Sequence, residues 1–188
     1  MNKIRKSHRN TIEENYRDTE YFYDADFSEK KITEAEYESS TFYGMVNMFI
    51  KQYSDQYDKD MTYRILAERS AYSEKTVKNY VSRSYSADHR DATFRFVISI
   101  AFILRLEIEK TNKLLEAADM SRLKPQKIER GDNVIIKYYD QLMQEIEKIE
   151  KTEKNWDSYK LQDLDVVKKM NDELKEVSKL CLFVKEDE

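Results

Sequence analysis

Large apolar residues recur at steps of three and four along much of this chain, and that spacing predicts helices. The pattern is cleanest over residues 41–58, where Phe42, Met45, Val46, Phe49, Ile50 and Tyr53 share one face. Two short helices follow between Thr62 and Tyr80, with Thr62 and Ser73 placed to cap them. Ile65, Leu66, Val77 and Tyr80 face inward from this pair. After a polar loop over 82–91, residues 92–104 form a helix that is apolar nearly all round (Phe94, Phe96, Val97, Ile98, Ile100, Phe102). A helix of that kind is buried on several sides or forms an interface.

Beyond Pro125, Asp132 is placed to cap a helix running to about Trp156. Its stripe is Ile135, Tyr138 or Tyr139, Leu142, Ile146 and Ile149. A last helix opens at Ser158 or Asp163, and its apolar residues recur near a heptad period through Leu174 to Cys181 and Val184. The two make an antiparallel hairpin, packed on the rest of the chain or paired between subunits. Residues 1–40 read differently. They begin basic, Lys3 to Arg9, and then turn acidic and aromatic, with patchy helical periodicity at Ile12, Tyr16 and Tyr23 and at Ile32 and Tyr37. This is an arm, partly disordered unless it docks on a basic surface or a protein partner.

Composition fixes the class. With two glycines and one proline in 188 residues, the chain lacks the turn chemistry of β-hairpins, so the expectation is all-α. Charged residues reach 37%, which suits helices with solvated outer faces. Cys181 is the only cysteine, so no intrachain disulfide forms and a reducing compartment is implied. The apolar run Phe96–Leu104 is far below the roughly 20 residues of a membrane span, and the basic start is not followed by the apolar region of a signal peptide. The expected location is the cytoplasm.

The stretch TYRILAERSAYSEKTVKNY, Thr62–Tyr80, carries the most specific pattern. Ala67 and Ala71 are small where two helix backbones approach, and Val77 and Tyr80 follow at the spacing of a helix-turn-helix. Leu66, Ala67, Ser73, Thr76 and Val77 match the LAxxxGxSxxTI pattern, so the stretch resembles the phage-repressor-like Xre/Cro family. Val97, Ile100, Ala101 and Leu104 match a second family pattern, and Leu114, Leu115 and Ala118 keep the core positions of its fifth helix. The resemblance covers about residues 41–120 and implies a five-helix DNA-binding domain, flanked by the arm 1–40 and a C-terminal extension 121–188. Three customary glycines are replaced by Ala71, Arg105 and Asp119, and the helix-ending ExG is absent at Val81–Ser84, which marks a divergent member.

Net charge is −4, unevenly spread. Residues 61–95 hold seven basic residues (Arg64, Arg69, Lys75, Lys78, Arg83, Arg90, Arg95) against four acidic (Glu68, Glu74, Asp88, Asp91), a net of +3 that leaves −7 elsewhere. A basic segment within an acidic chain fits nucleic-acid binding, because phosphate contacts supply much of the affinity. By position in the family, Glu74, Lys75 and Asn79 are the expected base contacts and Arg64, Thr76, Lys78 and Arg83 the expected phosphate contacts. The implied partners are double-stranded DNA and, through palindromic half-sites, a second copy of the chain.

Enzyme chemistry finds no foothold. His8 and His89 are far apart and lack Cys or carboxylate neighbours at metal spacing. There is no glycine-rich phosphate loop and no nucleophile elbow, and Met45, Met48 and Met143 read as core filler. No cofactor and no metal are expected. The competing reading is an all-helical protein-interaction module with a repressor-like fold and no DNA binding, which the net acidity and the acidic aromatic arm favour.

Overall fold

The computed structural model describes residues 41–81, 92–152 and 159–184, all of them within one compact unit, Ala35–Glu188. The arm, the loop with Arg83 and His89, and the expected helix boundaries at Trp156 and Ser158 lie outside these residues. Every regular element described is helical. Among the described residues no helix is long and apolar enough to cross a membrane.

Helix α1, Phe42–Tyr57, buries Val46, Phe49 and Tyr53 and starts where the Thr41 hydroxyl accepts from the Gly44 amide at 3.0 Å. Helix α2, Tyr63–Ser70, is capped by Thr62, and α3, Glu74–Tyr80, by Ser73, which accepts from the Thr76 amide at 3.0 Å. Both caps are the ones the sequence marks. Three residues join the two helices, and the sharp bend falls on Ala71 at φ 63°. Val77 and Tyr80 bury the inner side of α3.

Helix α4, Phe94–Ile103, is the centre of the core: every residue from Phe96 to Ile103 is buried. Its all-round apolarity needs cover on every side, and α2, α5 (Ile108–Ala117) and the ring of Tyr139 supply it. Helix α6, Asp132–Thr152, packs along α7, Asp165–Val177, with a 3-10 turn at Leu161–Asp163 between them that reaches α2. The hairpin therefore packs within the chain.

The glycine positions of the resemblance keep their backbone geometry without glycine. Ala71, Arg105 and Asp119 have φ of 63°, 53° and 55°. A left-handed residue with a Cβ is strained by roughly 1–2 kcal/mol, partly offset by glycine's greater freedom in the unfolded chain. Ala71→Gly should therefore stabilise by about 0.5–1 kcal/mol, read as a higher urea midpoint at unchanged slope. An unchanged or lower midpoint would mean that the corner is not strained.

Two expectations about the C-terminal half need correction. The last helix stops at Val177, well before Cys181 and Val184. Lys179 turns left-handed at φ 56°, and the Asn171 side chain takes both backbone groups of Leu182, donating to its carbonyl at 2.9 Å and accepting from its amide at 2.8 Å. That clasp folds the tail back and buries Phe183 against Phe102. Asp132 likewise does not cap its own helix. It is the first helical residue, and its buried carboxylate accepts from the Lys124 amide and from the Arg130 guanidinium.

Candidate nucleic-acid interface

The outward edge of α3 is set by its own packing. Val77 is fully buried and Tyr80 nearly so, the Tyr80 ring packing at a tilt on Phe96 with centroids 4.6 Å apart, so the other side of the helix faces outward. Glu74, Lys75 and Lys78 are exposed, and Thr76 and Asn79 are half-buried. Arg64 is exposed on α2. Six of the seven expected contact residues thus lie on α2 and α3 with reach to solvent, and the seventh, Arg83, lies outside the described residues.

Local chemistry distinguishes their roles. Thr76 shares its hydroxyl with the Ser73 cap, 2.7 Å away, so it is tied to the start of the helix. Lys78 pairs with Glu74 at 2.7 Å one turn below. Exposed pairs of this spacing contribute only about 0.3–0.5 kcal/mol, so a phosphate or a base edge can displace either partner. Among the described residues Lys75 and Arg64 take part in no ion pair.

The basic balance of residues 61–95 changes once burial is known. Arg69 is 1% exposed and faces away from α3's outer edge, into a polar cluster beneath α2. Its Nη1 donates to Glu150 of α6 at 2.8 Å. The same carboxylate accepts from the Tyr53 hydroxyl at 2.6 Å and the Tyr159 hydroxyl at 2.8 Å. The Arg69 guanidinium carbon also lies over the Tyr159 ring, 4.1 Å from its centroid. Lys59 donates to the Glu150 carbonyl at 2.8 Å, and Arg105 approaches the carboxylate at 3.8 Å from the end of α4. Burial pushes both phenols well above their ordinary pKa, with the Glu150 charge reinforcing it, so both remain donors. Burial also lowers the Lys59 ammonium, against the pull of Glu150. Arg95 is drawn inward too, its guanidinium over the ring of Tyr72 at 5.6 Å. Neither arginine contributes fully to a surface field.

This cluster was not legible from apolar spacing alone. The stripe of α6 runs Leu142, Ile146, Glu150, so a carboxylate occupies the buried place that the spacing gives to Ile149, which is only half-buried. An acid at the next step of four after two buried apolar positions, Leu142 and Ile146, is the one available signal. Among the described residues no group of three His, Cys, Asp or Glu side chains gathers as a metal would require. No family model, curated protein or solved structure matches this chain.

Proposed function

We propose that the chain is a sequence-specific DNA-binding transcriptional regulator of bacterial or phage type, related in design to the Xre/Cro repressors, that reads the major groove with the helix beginning at Ser73. One observation carries this reading: α3 turns its polar edge to solvent while Val77 and Tyr80 hold it from behind, next to a left-handed corner at Ala71. A recognition helix needs that combination, because its first turns must enter a groove without unpacking the core.

In this reading Lys75 donates to guanine O6 or N7, Asn79 pairs with adenine, and Glu74 accepts from cytosine N4. Arg64, Thr76 and Lys78 contact phosphates, and Arg83 belongs to the same group from outside the described residues. Glu74 and Lys78 exchange each other for DNA on binding. Palindromic half-sites call for a homodimer. No cofactor enters.

A second reading is favoured by the inward turn of Arg69 and Arg95, which thins the positive field. Here the same fold is a protein-interaction module. A salt series on random duplex DNA separates the two. The wild type should bind with a salt-dependent slope, and Lys75→Glu/Lys78→Glu should bind more weakly with a slope reduced by about 0.9 for each phosphate that is no longer neutralised. Absence of binding at low salt in the wild type would remove the DNA reading and leave the interaction module.

A further inference from the structure

Loop 121–131 lies outside the stretch that resembles the repressor family, yet it borders the same end of α4 as the corner before α3. Its sequence, SRLKPQKIERG, has four basic residues and one acid. Arg130 lies over the Phe94 ring at 4.4 Å. The next residue, Arg95, lies over Tyr72, which immediately precedes the Ser73 cap. Two neighbouring residues in the first turn of α4 therefore link the loop to the corner.

The loop is braced. Arg130 donates to the Ser121 and Arg122 carbonyls at 2.9 and 2.7 Å, and its other donors hold both oxygens of Asp132. The Leu123 amide is fixed to Asn112 of α5 at 2.8 Å. Charges within it are unequally matched. Arg122 is neutralised by Glu116 and Arg130 by Asp132. Among the described residues the Lys127 ammonium donates to a neutral group, the Ser121 hydroxyl at 2.6 Å, and Lys124 is exposed with no ion pair. Two lysines without carboxylate partners on a braced loop offer ammonium charge that a polyanion can pair with.

We propose that loop 121–131 is a second contact to duplex DNA, with Lys124 and Lys127 gripping backbone phosphates beside the site read by α3. This rests on the DNA-binding reading above and extends it to a segment that the motif does not include. The contact is to phosphate, so it adds affinity and salt dependence uniformly across sequences and no base preference.

The test is a salt series on random duplex DNA with the full chain. Lys124→Gln/Lys127→Gln should lower the slope of log K against log salt by about 1.8, at roughly 0.9 per phosphate. Lys168→Gln/Lys169→Gln, an equal charge change on exposed residues of α7, should leave it unaltered. Equal melting temperatures for all variants would show that the fold is intact. A loop variant that matches wild type, while Lys75→Gln/Lys78→Gln loses slope, overturns the second contact and keeps the DNA reading. So does an α7 variant that falls as far as the loop variant, since net charge alone would then explain both. A wild type without salt-dependent binding overturns both readings.

Discussion

Glu150→Ala should destabilise the protein by about 3–5 kcal/mol, because it removes the carboxylate to which the buried Arg69 guanidinium donates and breaks a buried ion pair from one side. A domain of this size is stable by only about 5–15 kcal/mol, so much of the folded population is at stake. Arg69→Ala should cost less, about 1–3 kcal/mol, because the Lys59 ammonium and the Arg105 guanidinium, each 3.8 Å away, still face the carboxylate. The magnitude is the cost of breaking a buried pair from one side and not the worth of the pair. Replacing both partners at once with apolar residues of like size, Arg69→Met with Glu150→Leu, should recover only part of the loss, because the Tyr53 and Tyr159 hydroxyls lose their shared acceptor at about 1–3 kcal/mol each. Tyr53→Phe removes one donor and keeps the ion pair, at about 1 kcal/mol. Urea midpoints of the four variants check the series. A cost below about 1 kcal/mol for Glu150→Ala would mean that water reaches the carboxylate and the cluster is not a buried one.

The same cluster bears on α3. Arg69 lies in the last turn of α2, two residues before the left-handed corner, and Glu150 belongs to α6. The direction in which α3 leaves the corner is thus tied to the C-terminal hairpin through one buried bond at 2.8 Å.

What could be read in the chain beforehand was local. Thr62 and Ser73 cap as marked because capping is decided within three residues. The bends at Ala71, Arg105 and Asp119 fall where the family pattern sets glycine, because a short corner admits few backbone paths. The apolar character of α4 leaves burial on several sides or an interface open, and the first of these holds from Phe96 to Ile103. What escaped was long-range. Arg69 counts as a surface cation until Glu150, 81 residues later, is known to face it. The heptad through Cys181 and Val184 reads as helix until Asn171 is seen to clasp Leu182 and fold the tail. The exposure of Glu74 and Lys75 and the half-burial of Asn79 were legible by position, since outward residues on a short helix are what remains once Val77 and Tyr80 are assigned inward.

A chain cut after residue 120 should not fold cooperatively, even though it retains the whole stretch that resembles a DNA-binding domain. Phe102 of α4 packs on Tyr139 at 4.7 Å and on Phe183 at 6.2 Å, and the cut removes both rings. Tyr139 also donates to the Leu106 carbonyl at 2.7 Å, just past the left-handed turn at Arg105. Uncovering a large core side chain costs about 1.5–3 kcal/mol, and taking the Glu150 carboxylate from the buried Arg69 adds about 3–5. Together these reach into the whole stability of a typical domain. Far-UV circular dichroism should show reduced helicity and a broad, shallow melt for residues 1–120, against a single sharp transition for the full chain. A truncated chain that melts sharply within a few degrees of the full one would show instead that α1–α5 hold their own core. In that case the Glu150 cluster would be a surface on which the hairpin docks, and Arg69 would be free to rejoin the basic face beside α3.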